Sequence, residues 1–170
     1  MATQQQVDAE AFEIPDSAEA ASNLFFARGW TDGLPIVPPT EERIQAMLRY
    51  TDYGPDEVVA VLPPRQGEAT PTNIAVNAVM AGCLPQHMPI LVAVVQGIAD
   101  VNFHLPAVLT STHGCSVLGM VNGPIVKELQ INFGYNVLGE GVRSNATIGR
   151  AINLIVWNIA GVPGRTNVDT

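Results

Sequence analysis

The sequence predicts an α/β or α+β fold, a mixed sheet of short strands with packed apolar helices. Three observations point there. Apolar stretches with helical spacing carry capping residues in front and glycine behind. Short runs rich in valine, such as "DEVVAVLPP", end in prolines or glycines as strands do. The two kinds of segment alternate along the chain, with no internal repeat.

Taken in order, residues 1–14 are polar, lack periodicity and read as a tail. "PDSAEAASNLFFARGW" reads as a helix, with Asp16 as cap, Glu19 completing a capping box and Gly29 as stop. "WTDGLPIVPPT" holds too much proline and glycine for regular helix and reads as a tight Asp-Gly turn leading into extended chain. Thr40 then caps "EERIQAMLRY", where Glu41 and Glu42 favour the positive helix end and Ile44, Met47 and Leu48 form an apolar face. "DEVVAVLPP" predicts a strand, and "RQGEATP" a loop ending in Thr70 as cap with Pro71 at the first helical position.

"TNIAVNAVMAG" predicts a buried helix stopped by Gly82, and Pro89 opens the next, "PILVAVVQGIAD". "AVLTSTH" and "SVLGMVNGP" predict two strands around a turn at Gly114, either paired as a hairpin or belonging to a mixed sheet. A short helix follows near residues 125–129, then the glycine- and asparagine-rich loop "NFGYNVLGEG". "SNATIGRAINLIVWNIAG" predicts a final helix capped by Ser144 or Asn145 and closed by Gly161. The expected organisation is a single globular domain over residues 15–162, with a polar tail over 163–170.

Composition narrows the function. Charged residues make up 14% and hydrophobic ones 47%. With charge well under the usual quarter or so, some apolar surface is expected to lie against another chain. The net charge of −8 argues against nucleic acid and against anionic membranes, since both select Lys and Arg. The first residues show neither a basic n-region nor an apolar h-region, and the longest apolar run, residues 89–95, is too short to span a bilayer. A cytoplasmic protein is the expectation. Cys83 and Cys115 are too few for a disulfide framework and read as free thiols.

None of the strong local signatures occurs: no P-loop, no G-x-G-x-x-G after a strand, no H-E-x-x-H, no C-x-x-C and no G-x-S-x-G. No cofactor is demanded. Weaker constellations remain. In "AGCLPQH", Cys83 follows a helix stop and precedes a helix start, where an N-terminus lowers a thiol pKa, and His87 is near enough to act as base. The alternative is a small buried hydrophobe between two apolar helices. In "THGCSVLG", Cys115 is either a reactive thiol in a turn or packing under the following strand, and a redox pair with Cys83 would require the two to be close.

His113 and Cys115, two apart, would share one face of a strand and could begin a metal site if His87 or Cys83 joined them. Asn122 and Gly123 in "VNGPI" would stand at a strand end, where α/β proteins bind ligands. Arg143, Ser144 and Asn145 open a helix with the donors that suit a carboxylate or phosphate, although capping accounts for Ser144 equally well. Asn73 and Asn77, one turn apart on an apolar helix, either tie it to the sheet or face a ligand.

The blocks "WTDGLPIVPPTEERIQAML", "VLPPRQGEATPTNIAVNAVMAGCLPQHMPILVAVV", "VNGPI" and "NATIGRAINLI" together resemble a bacterial family, the UGSC-type (seleno)protein group, named for a selenocysteine or cysteine redox motif. The resemblance runs from about Trp30 to Gly161. It implies thiol redox chemistry, and only the "AGCLP", "VNGP" and "NATIGRA" positions carry over. The U-G-S-C motif itself is missing, and the chain resembles the N-terminal half of such a protein. A second subunit resembling the missing half would account for the sparse charge.

The resulting expectation is a subunit of a hetero-oligomeric enzyme acting on a small anionic metabolite, with Cys83 as nucleophile or redox thiol and residues 122, 123 and 143–145 holding the substrate. Two alternatives stand beside it. One is a lyase or hydratase subunit using His87 or His113 for proton transfer, with or without a metal. The other is a noncatalytic stabilising or regulatory partner.

Overall fold

A computed structural model describes residue 14 and residues 17–161. The two tails read from the sequence, residue 14 apart, lie outside the described residues, as does Asp16. Helix makes up about 52% of the protein, so helices rather than a sheet build the frame. The architecture is of the α+β kind, a helical body carrying one antiparallel hairpin.

Helix α1 (Ala18–Ala27) is capped by Ser17, whose hydroxyl accepts from the Ala20 amide. It stops where Gly29 turns left-handed at φ +71°. Helix α2 (Glu41–Leu48) follows Thr40 and buries Ile44 and Met47, although the Thr40 side chain makes no capping hydrogen bond. Strand β1 (Ala60–Leu62) pairs with β2 (Gly67–Ala69) across "PPRQ". The "RQGEATP" segment is thus half strand and not a plain loop. Gly67 is required there, because a Cβ would lie 1.9 Å from the Ile159 carbonyl oxygen.

Helix α3 (Pro71–Ala81) forms the centre. Thr70 caps it through the Asn73 amide, Pro71 starts it, and Gly82 ends it at φ +88°. Nine of its eleven residues are buried, so it is apolar around most of its girth, as an enclosed helix must be. Its Asn73 donates to the Glu68 carbonyl of β2, and its Asn77 meets Asn158 at 2.6 Å. Of the two readings of these asparagines, tying helix to sheet is the one found for Asn73.

A 3₁₀ turn (Pro85–His87) leads into α4 (Met88–Ala99), which buries Met88, Leu91, Val95 and Ile98 along one stripe. Helix α5 (Leu105–Thr110), the one-turn α6 (Ile125–Glu128) and α7 (Arg143–Ile155) complete the set, with a π-helical turn over Val156–Gly161. Helix α7 lies against α3 as its principal neighbour. Ile148, Ala151, Ile152 and Ile155 face inward.

The turn "WTDG" is fastened to this last helix. Arg150 holds Asp32 through two 2.9 Å hydrogen bonds, and Trp157 and Asn158 donate to the carbonyls of Gly29 and Trp30.

Two strands expected around Gly114 are not formed. "AVLT" belongs to α5, and residues 111–124 have no regular structure. Short apolar runs fit either period, and here Pro106 sits at the start of a helical turn, while the sheet among the described residues is the β1–β2 hairpin alone. Among the described residues, no single helix is long and apolar enough to cross a membrane.

Candidate functional site

The α3–α4 junction and the first turn of α7 meet at an open cleft of about 130 Å³. Its walls include Gln86, His87, Glu128, Gln130, Arg143 and Ser144. The sequence brings them together for local reasons. Gly82 ends α3, Pro85 forces a tight turn, and His87 is swung inward just before α4 begins.

His87 is wholly buried. Its Nδ1 accepts from the Leu84 amide at 3.3 Å, and its Nε2 lies 3.2 Å from Ser144 Oγ. An acceptor Nδ1 places the ring proton on Nε2, which therefore donates to Ser144 Oγ. The serine hydroxyl passes its own proton to the Leu129 carbonyl. Burial and the nearby positive charge of Arg143 both hold the ring below its ordinary pKa, so it stays neutral. The polarity is the reverse of a nucleophilic pair, in which histidine must accept the serine proton. As folded, with Nδ1 accepting and Nε2 donating, neither nitrogen of His87 offers a free lone pair for the role of base expected of it.

Cys83 is also buried, at 8% exposure, and its Sγ donates to the Thr147 carbonyl at 3.3 Å. Burial pushes its thiol up to about 11. A thiolate favoured by the following helix is therefore not what the surroundings produce. The reason is that a 3₁₀ turn intervenes and the side chain points under α7, not along the axis of α4. Thr147 Oγ1 is buried without a hydrogen-bond partner among the described residues.

Arg143 donates from Nε and Nη2 to the Gly82 carbonyl, at 3.3 and 3.1 Å. It thereby neutralises the negative end of α3. Its Nη1 has no hydrogen-bond partner among the described residues. Ser144 and Asn145 do not cap α7: the position before the helix is Val142, with no side-chain cap. Instead Asn145 accepts from the Asn132 amide at 2.8 Å and donates to the carbonyls of Asn132 and Val137. The first turn of α7 thus spends its polar groups on backbone.

His113, Cys115, Asn122 and Gly123 are exposed on the irregular stretch and do not line the cleft. His113 and Cys115 share a turn organised by Ser111 and not a strand face. Asn122 and Gly123 precede the one-turn α6 and not a strand end. A redox pair with Cys83 would join an exposed thiol to a buried one. A metal site is not assembled either: among the described residues, no three His, Cys, Asp or Glu side chains gather closely enough to hold an ion.

Gln86, Glu128 and Gln130 were missed from the sequence. Gln86 adjoins a histidine already singled out, but nothing in "KELQI" marks Glu128 or Gln130 as facing it. No protein-family model, curated protein or solved structure matches the chain.

Proposed function

We propose that this chain is a subunit of a hetero-oligomeric enzyme for a small anionic metabolite, contributing binding and support while another chain supplies the reacting group. One observation carries this reading. The cleft holds a guanidinium whose Nη1 has no partner among the described residues, yet its histidine and serine are saturated by hydrogen bonds within the fold. Arg143 gives such a cleft a partner for a carboxylate or phosphate, while its histidine and serine are not free to move a proton, and Glu128 is the acidic group left on its wall. The sparse charge of the chain and the resemblance of residues 30–161 to half of a larger protein support a second subunit.

Thiol chemistry at Cys83 has no place in this reading, because the thiol lies under α7. A noncatalytic stabilising role is the second reading, favoured by the commitment of Arg143, Ser144 and Asn145 to backbone groups. Amide NMR of the chain with acetate, malonate and inorganic phosphate separates the two. Shifts at Gln86, Gln130 and Ser144 that vanish in Arg143→Gln support a binding subunit. Absence of any response to all three anions refutes it and leaves the stabilising role.

A further inference from the structure

Asp32-Gly33 and Asn122-Gly123 share a latent chemistry. In each, the glycine amide nitrogen can close a five-membered ring on the side-chain carbonyl before it, and glycine offers the least steric hindrance to that closure. The fold treats the two sites oppositely.

Asp32 is locked. Arg150 takes both of its oxygens at 2.9 Å, and the Leu34 amide and the Thr31 hydroxyl each donate to Oδ1 at 3.1 Å. Those bonds keep the carboxyl ionised, so it has no hydroxyl to lose, and keep it turned away from the chain behind it.

Asn122-Gly123 is open. Both residues are exposed, at the end of the irregular stretch 111–124 that precedes α6. Gly123 stands at φ +96° with nothing within 4 Å of the place a Cβ would occupy. Its carbonyl accepts from the Val126 amide, but among the described residues neither its own amide nor the Asn122 side chain makes a hydrogen bond. Asn102, Asn132, Asn136 and Asn158, by contrast, each commit the side-chain amide to a partner.

We infer that Asn122-Gly123 is a self-modification site, at which Asn122 converts to aspartate and isoaspartate with water as the co-reactant. The Gly123 nitrogen gives its proton to hydroxide and bonds to Asn122 Cγ. The Cγ–Nδ2 bond then breaks, and ammonia leaves with a proton from water. Water opens the resulting succinimide in one of two ways. Cleavage of the Cγ–N bond gives aspartate. Cleavage of the bond from the Asn122 backbone carbonyl carbon to that nitrogen gives isoaspartate, in which the main chain runs through Cβ and Cγ. Either product adds one negative charge to the chain's −8. The isoaspartyl form also reroutes the backbone just ahead of α6, which leads to Glu128 and Leu129 on the cleft wall. Its carboxylate is a substrate for methyl transfer from S-adenosylmethionine by a carboxyl methyltransferase. The inference does not rest on the proposed function.

The test is timed incubation of the full chain at neutral and mildly alkaline pH, read by isoelectric focusing and by mass-spectrometric peptide mapping. A more acidic species should accumulate, faster at the higher pH, with the change mapped to residue 122 and with isoaspartate labelled by methyltransferase and radioactive S-adenosylmethionine. Because no local unfolding need precede attack, the native chain should react at residue 122 within about tenfold of the rate in urea. Asn122→Gln, which would have to close a larger ring, should abolish the acidic species while keeping the far-UV spectrum. A native rate below that tenfold window overturns the inference, since the loop would then be held closed. An acidic species that persists in Asn122→Gln overturns it too, as does isoaspartate forming at Asp32 as fast as at Asn122.

Discussion

His87 and Ser144, 57 residues apart in sequence, meet with Nε2 3.2 Å from Oγ, and the histidine is the donor. The relation looks like a catalytic pair and works as a bolt. It runs from the Leu84 amide through the ring and the hydroxyl to the Leu129 carbonyl, joining the α3–α4 junction to α7 and to the end of α6.

That bolt predicts a pH dependence. The folded pKa of His87 lies below the ordinary 6.5. Below that pH the unfolded chain takes up a proton that the folded chain refuses. Its contribution is therefore full above about pH 6.5 and is lost as pH falls toward the folded value. Urea unfolding at a series of pH values should show this loss in the wild type and a flatter profile in His87→Gln. His87→Ala, which leaves a cavity and the Leu84 amide without its acceptor, should cost about 3 kcal/mol. A variant with unchanged stability at neutral pH would remove the bolt from the account.

The two thiols should separate cleanly. Cys115 is exposed and Cys83 buried with its pKa at about 11. A disulfide reagent at neutral pH should titrate one thiol in the native protein and two after denaturation. The Cys115→Ser variant should show almost none until it unfolds. Rapid native labelling of Cys83 would restore it as a reactive residue.

Arg150 and Asp32 form a bidentate pair, with side chains 21% and 24% exposed. Hydrogen bonds from Arg150 hold the Asp32 carboxyl below its ordinary 3.8. Stability from this pair is present above that pH and lost as pH falls further. Partial exposure limits its worth to about 1–2 kcal/mol, and Arg150→Lys should recover only part, since an ammonium cannot match both oxygens. A double-mutant cycle with Asp32→Asn measures the coupling; a value near zero would mean that the turn is held by Trp157 and Asn158 alone.

Two glycines should respond oppositely to alanine. At Gly67 the new methyl would collide with the Ile159 carbonyl, so Gly67→Ala should cost about 3 kcal/mol or more. Gly149 lies within α7 with nothing near its missing Cβ, so Gly149→Ala should stabilise by about 0.8 kcal/mol. Thermal melts of the two variants compare them directly, and equal shifts would contradict the close approach of β2 to the Val156–Gly161 turn.

The sequence by itself determined the frame. Thr70, Pro71 and Gly82 delimit α3 because capping, a fixed φ and a left-handed stop act within a few residues of themselves. The stripes of α2 and α4 are equally local, since a helix buries residues by their spacing. Tertiary structure decided the rest. The strands around Gly114 failed because a strand exists only where a neighbouring strand takes its hydrogen bonds, and residues 111–124 pair neither with each other nor with the β1–β2 hairpin. The residues of "RSN" became clamps and not caps or ligands, because their partners are Gly82, Leu129 and Asn132, brought near only when α7 packs on α3. For the same reason the pattern "AGCLPQH" could not say which way its histidine faced. The direction of a proton between His87 and Ser144 follows from an amide on one side of the ring and a carbonyl beyond the serine, and only the folded chain supplies both.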